Sequence, residues 1–369
     1  MAVITLFWKG HLGLTMTEIM LLQALFGLTV AIFEFPSGYV ADRIGYRRSL
    51  VAAALVAAIA WVLLTAATGF WTLAAGEVLL GVSLSFISGV DTALLYESLL
   101  EEDREGLYTR WYARLRFSGE TAEGSAALVA GILFAVWARL PMAIEVGLWL
   151  VNAILAAALV EPRRHRPPAH GNWVQMRTIV RHAARESPRL RAVILLATSL
   201  GMSTFIPVWI VALYATDAGV PVGWLGPIWA AANYSVALGS LSSPRLAGTA
   251  GVLPALLGCI ALGLVGYLGM GLSYALFGFA FYYCLTLMRG LHGGVLHPEE
   301  QRLIPSANRA GFLSLRSLVF RGVFLFLGPL VGAGLDRWGA HAVLLVAGPT
   351  LTVCSLLAWV ALLRAPRHG

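Results

Sequence analysis

Eleven apolar runs, each about the length of a membrane-crossing helix, constrain this chain more than any other feature of its sequence. They fall at residues 18–40, 49–68, 71–96, 117–138, 140–160, 192–214, 224–244, 250–271, 273–293, 311–334 and 339–363. About 30 Å of hydrocarbon at 1.5 Å per residue needs roughly 20 residues of helix, and a helix pairs its own backbone groups where no water can. With 59% hydrophobic and 12% charged residues and a mean hydropathy of +0.78, the chain lacks the polar surface of a soluble domain. The expected fold class is therefore an all-α polytopic membrane protein. Ahead of the first run stands an apolar stub, Met1 to Trp8, followed by the polar turn Lys9-Gly10-His11. It has no basic n-region and no cleavage site, so it reads as the remnant of a first span rather than a signal peptide. About 12 residues of that span are absent. An upstream start is the expectation, and a shortened product the alternative.

The arginines set an expected orientation. Twenty of them fall in loops on one side or in the C-terminal tail, while Lys9, Arg139 and Arg337 fall on the other. By the positive-inside rule the arginine-rich side, and with it the C-terminus, is cytoplasmic. The net charge is +7, but 25 of the 26 basic residues are arginine. That skew fits a GC-rich bacterial genome, hence a bacterial cytoplasmic membrane, and not a nucleic-acid partner. Cys259, Cys284 and Cys354 all lie in apolar runs and provide neither a disulfide frame nor a metal site.

The longest loop, residues 161–191, divides the chain into an N-terminal part, 1–160, and a C-terminal part, 192–369. Within it Trp173, Met176, Ile179, Val180 and Ala183 recur at helical spacing opposite Arg177, Arg181 and Arg185. This pattern predicts a short interfacial helix, with a solvated basic linker as the alternative. The two parts echo one another. Residues 126–133 align with 328–335, and at the same offset Arg114 meets Arg316 and Glu97 meets Glu299. A duplicated pair of six-helix bundles, with eleven full spans plus a partial first helix, follows as the expectation.

The sharpest local motif runs from Gly38 through Asp42, Arg43, Gly45, Arg47 and Arg48, between the first two full spans. Gly38 lets helices approach closely, Gly45 permits a positive φ in a tight turn, and the charges suit a loop at the membrane face. The motif resembles the loop signature of the major facilitator superfamily, GxxxD(R/K)xGR(R/K), and with the flanking spans and duplicated halves the resemblance covers the whole chain. Three positions depart from the family pattern. Tyr46 stands where an arginine is usual, Glu77 occupies the place of a fourth-helix arginine, and the fifth helix lacks the Gly-Pro pattern of many antiporters. The resemblance implies a gate formed by Asp42, Arg47 and Glu97 at the ends of the second and fourth helices. The alternative is a static surface ion pair.

Charges inside spans need a partner or a wet cavity. Glu34, Glu77, Asp91, Glu120, Glu123, Glu145, Arg289 and Arg321 are such residues. Asp91 and Glu123 are the leading expected proton carriers, with Glu34 and Glu120 beside them. Permanent pairing with Arg289, Arg316 or Arg321 is the competing reading. The resemblance also implies that helices one, four, seven and ten line a substrate cavity. Its expected wall includes Ser199, Ser203 and Trp209 on helix seven and Tyr282, Tyr283 and Arg289 on helix ten, with Asn233 and Tyr234 on helix eight. Packing or lipid contact is the alternative for these aromatics.

Together these features predict a secondary transporter that moves a small organic compound by alternating access, coupled to protons, as an efflux system. The alternatives are an uptake symporter and a transport-inactive sensor or partner protein on the same scaffold. No HExxH, GxSxG or acidic metal pair marks an enzyme, and no cofactor is expected. The expected partners are the solute, protons and the lipid bilayer, and a monomer suffices for this architecture.

Overall fold

The structure, a computed structural model, describes residues 3–88, 90–162, 187–303 and 309–366. The interfacial helix expected at 173–183 lies outside the described residues. Among the described residues every regular element is helical. A stub of one α-turn, Ile4–Leu6, continues as a π-helical turn, Phe7–His11. The longer helices are α1 (Met16–Ile44), α2 (Tyr46–Ala66), α3 (Phe70–Ile87), α4 (Val90–Glu101), α5 (Tyr108–Val136) and α6 (Leu140–Ala158). After the loop come α7 (Pro188–Asp217), α8 (Leu225–Ala250), α9 (Val252–Leu272), α10 (Tyr282–Leu303) and α11 (Arg309–Arg364). Gly339, with φ 78°, breaks α11 into two arms.

Eleven full spans were expected; among the described residues, seven stretches are long and apolar enough to cross a membrane. They are Met16–Glu34, Tyr46–Ala66, Phe70–Glu101, Leu140–Ala158, Pro188–Asp217, Val252–Leu272 and Leu315–Arg364. The last covers two expected spans. Three other runs fall short for identifiable reasons. In α5 the first turns carry Arg110 and Arg114, and Thr121–Val136 is a shorter apolar helix. Helix α8 carries Asn233, Ser235, Ser240, Ser242, Ser243 and Arg245.

The run expected at 273–293 is displaced. Tyr214 donates its hydroxyl to the carbonyls of Met270 and Ser273, at 2.9 and 2.6 Å, and ends α9 there. Residues up to Phe281 form a loop and a 3₁₀ turn, Gly278–Phe281, so α10 begins at Tyr282 and extends to Leu303. It thereby takes in the polar residues His292, Glu299 and Glu300.

The chain separates into two compact units, one mainly Val3–Ala169, the other mainly His170–Val323 and Ala333–Gly369. In the first unit α2 packs most extensively on α3 and α6, and α1 on α3. The small residues Ser49, Ala53, Ala54, Ala57 and Ala60 give α2 a flat, buried face for these contacts. Ser83 donates across the interface to the carbonyl of Ala53 at 2.9 Å, and Ser37 to that of Ser85 at 2.8 Å. Such bonds within a membrane are worth about 0.6 kcal/mol each. The stub is part of this packing: Phe7 and Trp8 are buried, and Arg139 lies over the Phe7 ring. The outer stripe Ile144, Leu148, Val151 and Leu155 on α6 is exposed, as a lipid-facing surface requires.

In the second unit α8 and α10 form the closest pair. A Cβ at Gly239 would strike the Leu287–Leu291 backbone, and one at Gly290 would strike the backbone of Val236 and Ser240, so both positions need glycine. Ser235 and Thr286 share a hydrogen bond in the same interface. Trp359 donates its indole N–H to the carbonyl of Leu253 at 2.8 Å, which ties the distal arm of α11 to the start of α9.

Candidate functional site

The turn between α1 and α2 is the most organised part of the first unit. Gly45 adopts φ 110° and ψ 147°, so glycine is required there, and it closes α1 while opening α2. Its N–H bonds back to the carbonyl of Ala41 at 3.1 Å, and its carbonyl accepts from Ser49 at 3.0 Å. The first amides of α2 would be unpaired but for Glu161, beyond the end of α6. That carboxylate accepts from the backbone N–H of Tyr46 at 2.7 Å and of Arg47 at 2.8 Å. Two charge-assisted bonds at the positive end of a helix make a strong cap.

Tyr46 is buried against Ala41, Val90 and Leu94, with Leu50 and Ala93 closing the cluster. Its hydroxyl donates to Glu97 at 3.4 Å, a long bond, and the other Glu97 carboxylate oxygen is buried without a hydrogen-bond partner among the described residues. Tyr46, at the position where the resemblance implies an arginine, thus reaches Glu97 and adds apolar packing. Arg43, Arg47 and Arg48 are exposed around the turn. Gly38 and Asp42 fall within α1, and their side chains lie outside the described set. Of the expected gate residues, the structure brings Glu97 to the turn through Tyr46; Glu161 joins them unanticipated.

The expected proton carriers sit in different surroundings. Asp91, in the first turn of α4, is half-buried and accepts from the Thr92 N–H at 2.7 Å. Glu34 is half-buried in α1, and Glu123 is exposed on α5. Glu120 lies in α5 with its side chain outside the described set. The enclosed carboxyl among the described residues of the first unit is Glu77, on α3 and 4% exposed. Its hydrogen-bonding neighbour is the Gln23 amide of α1, itself 8% exposed.

The second unit has ion pairs where α10 meets its neighbours. Glu300, 0% exposed, takes two bonds from Arg316 at 2.8 and 2.9 Å, and His297 stands 3.8 Å away. Glu299 meets Arg189 at 3.3 Å. The repeat-based alignment had matched Glu97 to Glu299 and Arg114 to Arg316, but Glu300 is the residue that engages Arg316. It was missed because α10 was placed about ten residues too early.

The expected substrate wall resolves into separate groups. Ser203 donates to the carbonyl of Ser199 at 2.9 Å, and Ser199 accepts from Ser355 at 3.0 Å. The Trp209 ring lies edge-on to Phe205. Tyr283 donates to the carbonyl of Ile228 at 3.4 Å, and the side-chain amide nitrogen of Asn233 is buried without a hydrogen-bond partner among the described residues. Tyr282 is buried, Arg289 is exposed, and Tyr234 is 55% exposed. Among the described residues, no group of three or more His, Cys, Asp or Glu could hold a metal ion.

Solved transporters share this arrangement of helices. The nucleoside transporter NupG matches over 98% of this chain and 94% of its own in a mutant form, with TM-score 0.81 and 13% identity. In its unmutated form the TM-score is 0.77 at 14% identity, over 99% of this chain and 95% of that one. A bacterial homologue of the human lysosomal transporter Spinster, inward-facing and occupied, matches with TM-score 0.70 and 14% identity over 98% and 92% of the two chains. At these identities the likeness is one of fold. No curated protein matches the chain. The sequence profile of the Major Facilitator Superfamily matches residues 1–302. With that profile covering most of the chain, and the fold agreeing along its length, this multi-pass membrane protein belongs to the Major Facilitator Superfamily of transporters, not to a family of enzymes.

Proposed function

We propose that the chain carries a small organic solute with hydrogen-bonding groups across a bacterial cytoplasmic membrane by alternating access, together with protons, in the direction of uptake. The efflux direction expected from sequence rested on a general prior. Uptake is preferred because the antiporter Gly-Pro pattern is absent from α5, and a nucleoside-sized solute is suggested by the fold shared with a nucleoside transporter. On this reading α5, α8 and α10 cross the membrane despite their polar residues, giving eleven spans plus the stub, with residues 1–160 and 192–369 as the two bundles. The arginine-rich side and the C-terminus face the cytoplasm, and a monomer carries out transport.

The observation that carries the coupling is Glu77. A carboxyl enclosed in a span beside a neutral amide avoids the cost of a buried charge by binding a proton, and a change of access lets the proton go. Asp91 and Glu123 are proposed as further stations on the route. Tyr46, Glu97 and Glu161, with Arg47 and Asp42, form the gate. In the second unit the buried Asn233 amide offers an unused donor, and Tyr283 an aromatic face, for a ring compound the size of a nucleoside.

The test is uptake by purified protein in liposomes with an acidic exterior, using radiolabelled nucleosides and a panel of amphiphilic organic cations. Inward accumulation of a nucleoside that collapses with the pH gradient is the expected result. Gradient-driven extrusion of a cation instead would restore the efflux reading. Binding without movement of any solute would favour the transport-inactive sensor.

A further inference from the structure

Beside the Gly45 turn lies an open cleft of about 820 Å³, between the end of α1, the start of α2 and the end of α6. Its rim is formed by Arg43, Arg47 and Arg48. Glu161 is the acidic residue in its wall, and its carboxylate is already engaged by the amides of Tyr46 and Arg47. The Arg47 and Arg48 side chains are exposed and meet no carboxylate among the described residues. The cleft thus offers two outward guanidinium groups and a surplus of positive charge.

Below the rim the chemistry changes. Val51, Ala52 and Leu55 of α2, with Ala157 of α6, form an apolar wall, and Leu55 is 45% exposed. At 1.5 Å per residue, Leu55 lies about 10 Å along α2 from Arg48. An anion-binding rim that gives way to an apolar wall along a membrane helix fits an amphiphile with one negative head and a hydrocarbon chain. A free anion would leave the wall unused, and an uncharged lipid would leave the arginines unused.

We infer that this cleft is a binding site for an anionic phospholipid, its phosphate on Arg47 and Arg48 and an acyl chain along Val51, Leu55 and Ala157. The site shares Arg47 with the proposed gate, but lipid binding there does not depend on the direction or coupling of transport. Because the phosphate would sit at the turn that Glu161 caps, lipid binding steadies the junction of α1 and α2.

The experiment is native mass spectrometry of the full chain in detergent, titrated with phosphatidylglycerol, phosphatidylcholine or, as a headgroup without a chain, glycerol 3-phosphate. Each basic residue near an anionic lipid surface is worth about 1 kcal/mol, roughly fivefold. The joint substitution R47Q/R48Q should therefore weaken phosphatidylglycerol binding by about twentyfold or more and leave phosphatidylcholine binding unchanged. A52F, which fills the wall and leaves the charges in place, should also weaken it, whereas R337Q, in the second unit, should not. Two results would overturn the proposal: phosphatidylglycerol retained at wild-type strength by R47Q/R48Q, or glycerol 3-phosphate binding as tightly as the intact lipid. Intact mass and helical circular dichroism of each variant separate lost binding from lost folding.

Discussion

Two helix junctions share a backbone turn, and they differ in what surrounds them. Gly45 joins α1 to α2 at φ 110°, ψ 147°; Gly251 joins α8 to α9 at φ 87°, ψ 160°. Each glycine bonds back to the residue four before it at 3.1 Å, and each carbonyl accepts from the residue four after it, at 3.0 and 3.1 Å. Around Gly45 stand Arg43, Arg47, Arg48 and the capping carboxylate of Glu161. Around Gly251 the neighbours are Ala250, Val252 and Pro254, and the nearby tie is the neutral bond from Trp359 to Leu253. The glycine turn therefore forms with charges around it or without them. In the second unit the ion pairs have moved to α10, where Glu299 and Glu300 hold Arg189 and Arg316. Charge at the first turn is a specialisation, which is why a gate is proposed for it.

Substitutions at the two turns separate backbone from charge. At the turns themselves the larger effect is expected from Gly45→Ala. The left-handed conformation costs about 1–2 kcal/mol for a residue with a Cβ, and the new atom would lie 3.2 Å from both Glu161 carboxylate oxygens. Displacing the cap adds to the strain, so a loss of about 2–3 kcal/mol is expected in thermal or denaturant unfolding of the purified protein. Gly251→Ala carries the same strain, but its nearest neighbour is the Pro254 ring at 3.8 Å, so about 1–2 kcal/mol is expected. Equal losses at the two sites would deny Glu161 its capping role.

Glu161→Gln comes next. It keeps one accepting oxygen, sets an NH2 donor against the other amide N–H, and removes the negative charge from the N-terminus of α2; a loss of about 1–2 kcal/mol is expected, and its electrostatic part should shrink as salt is raised. Trp359→Phe removes the corresponding neutral tie of the second unit; about 0.5–1 kcal/mol is expected, independent of salt. A salt-insensitive loss at Glu161 would erase the distinction drawn between the turns. The smallest effect belongs to Tyr46→Phe. Its bond to Glu97 is long at 3.4 Å, so no more than about 0.5 kcal/mol should be lost, whereas Tyr46→Ala would empty part of the buried cluster and cost about 3 kcal/mol.

Much of this was legible in the sequence. Apolar runs of bilayer length locate most helices, and the spacing of Gly45 within its charged motif anticipates the positive φ. Other features were not legible, for physical reasons. The run at 273–281 is as apolar as a span, but Tyr214 pins its start and its glycine and aromatic residues form a loop, so hydropathy misplaced α10. Glu161 is more than a hundred residues from Tyr46 and Arg47 and bonds to their backbone, which leaves no side-chain pattern to read. Glu77 was visible as a charge within a span, but α3 is apolar on all sides, so nothing in its periodicity shows which face is enclosed. Asp91 and Glu123 drew attention by depth along the chain, and depth does not report burial: one is half-buried and the other exposed.

The most direct test of proton-coupled transport is the pH inside liposomes when solute is added with no gradient imposed. With a solute identified in the uptake screen, the wild-type protein should acidify the interior as solute enters. Glu77→Gln should still exchange labelled for unlabelled solute but leave the internal pH unchanged. Solute entry by the wild type without acidification, or acidification that persists in Glu77→Gln, would contradict the account.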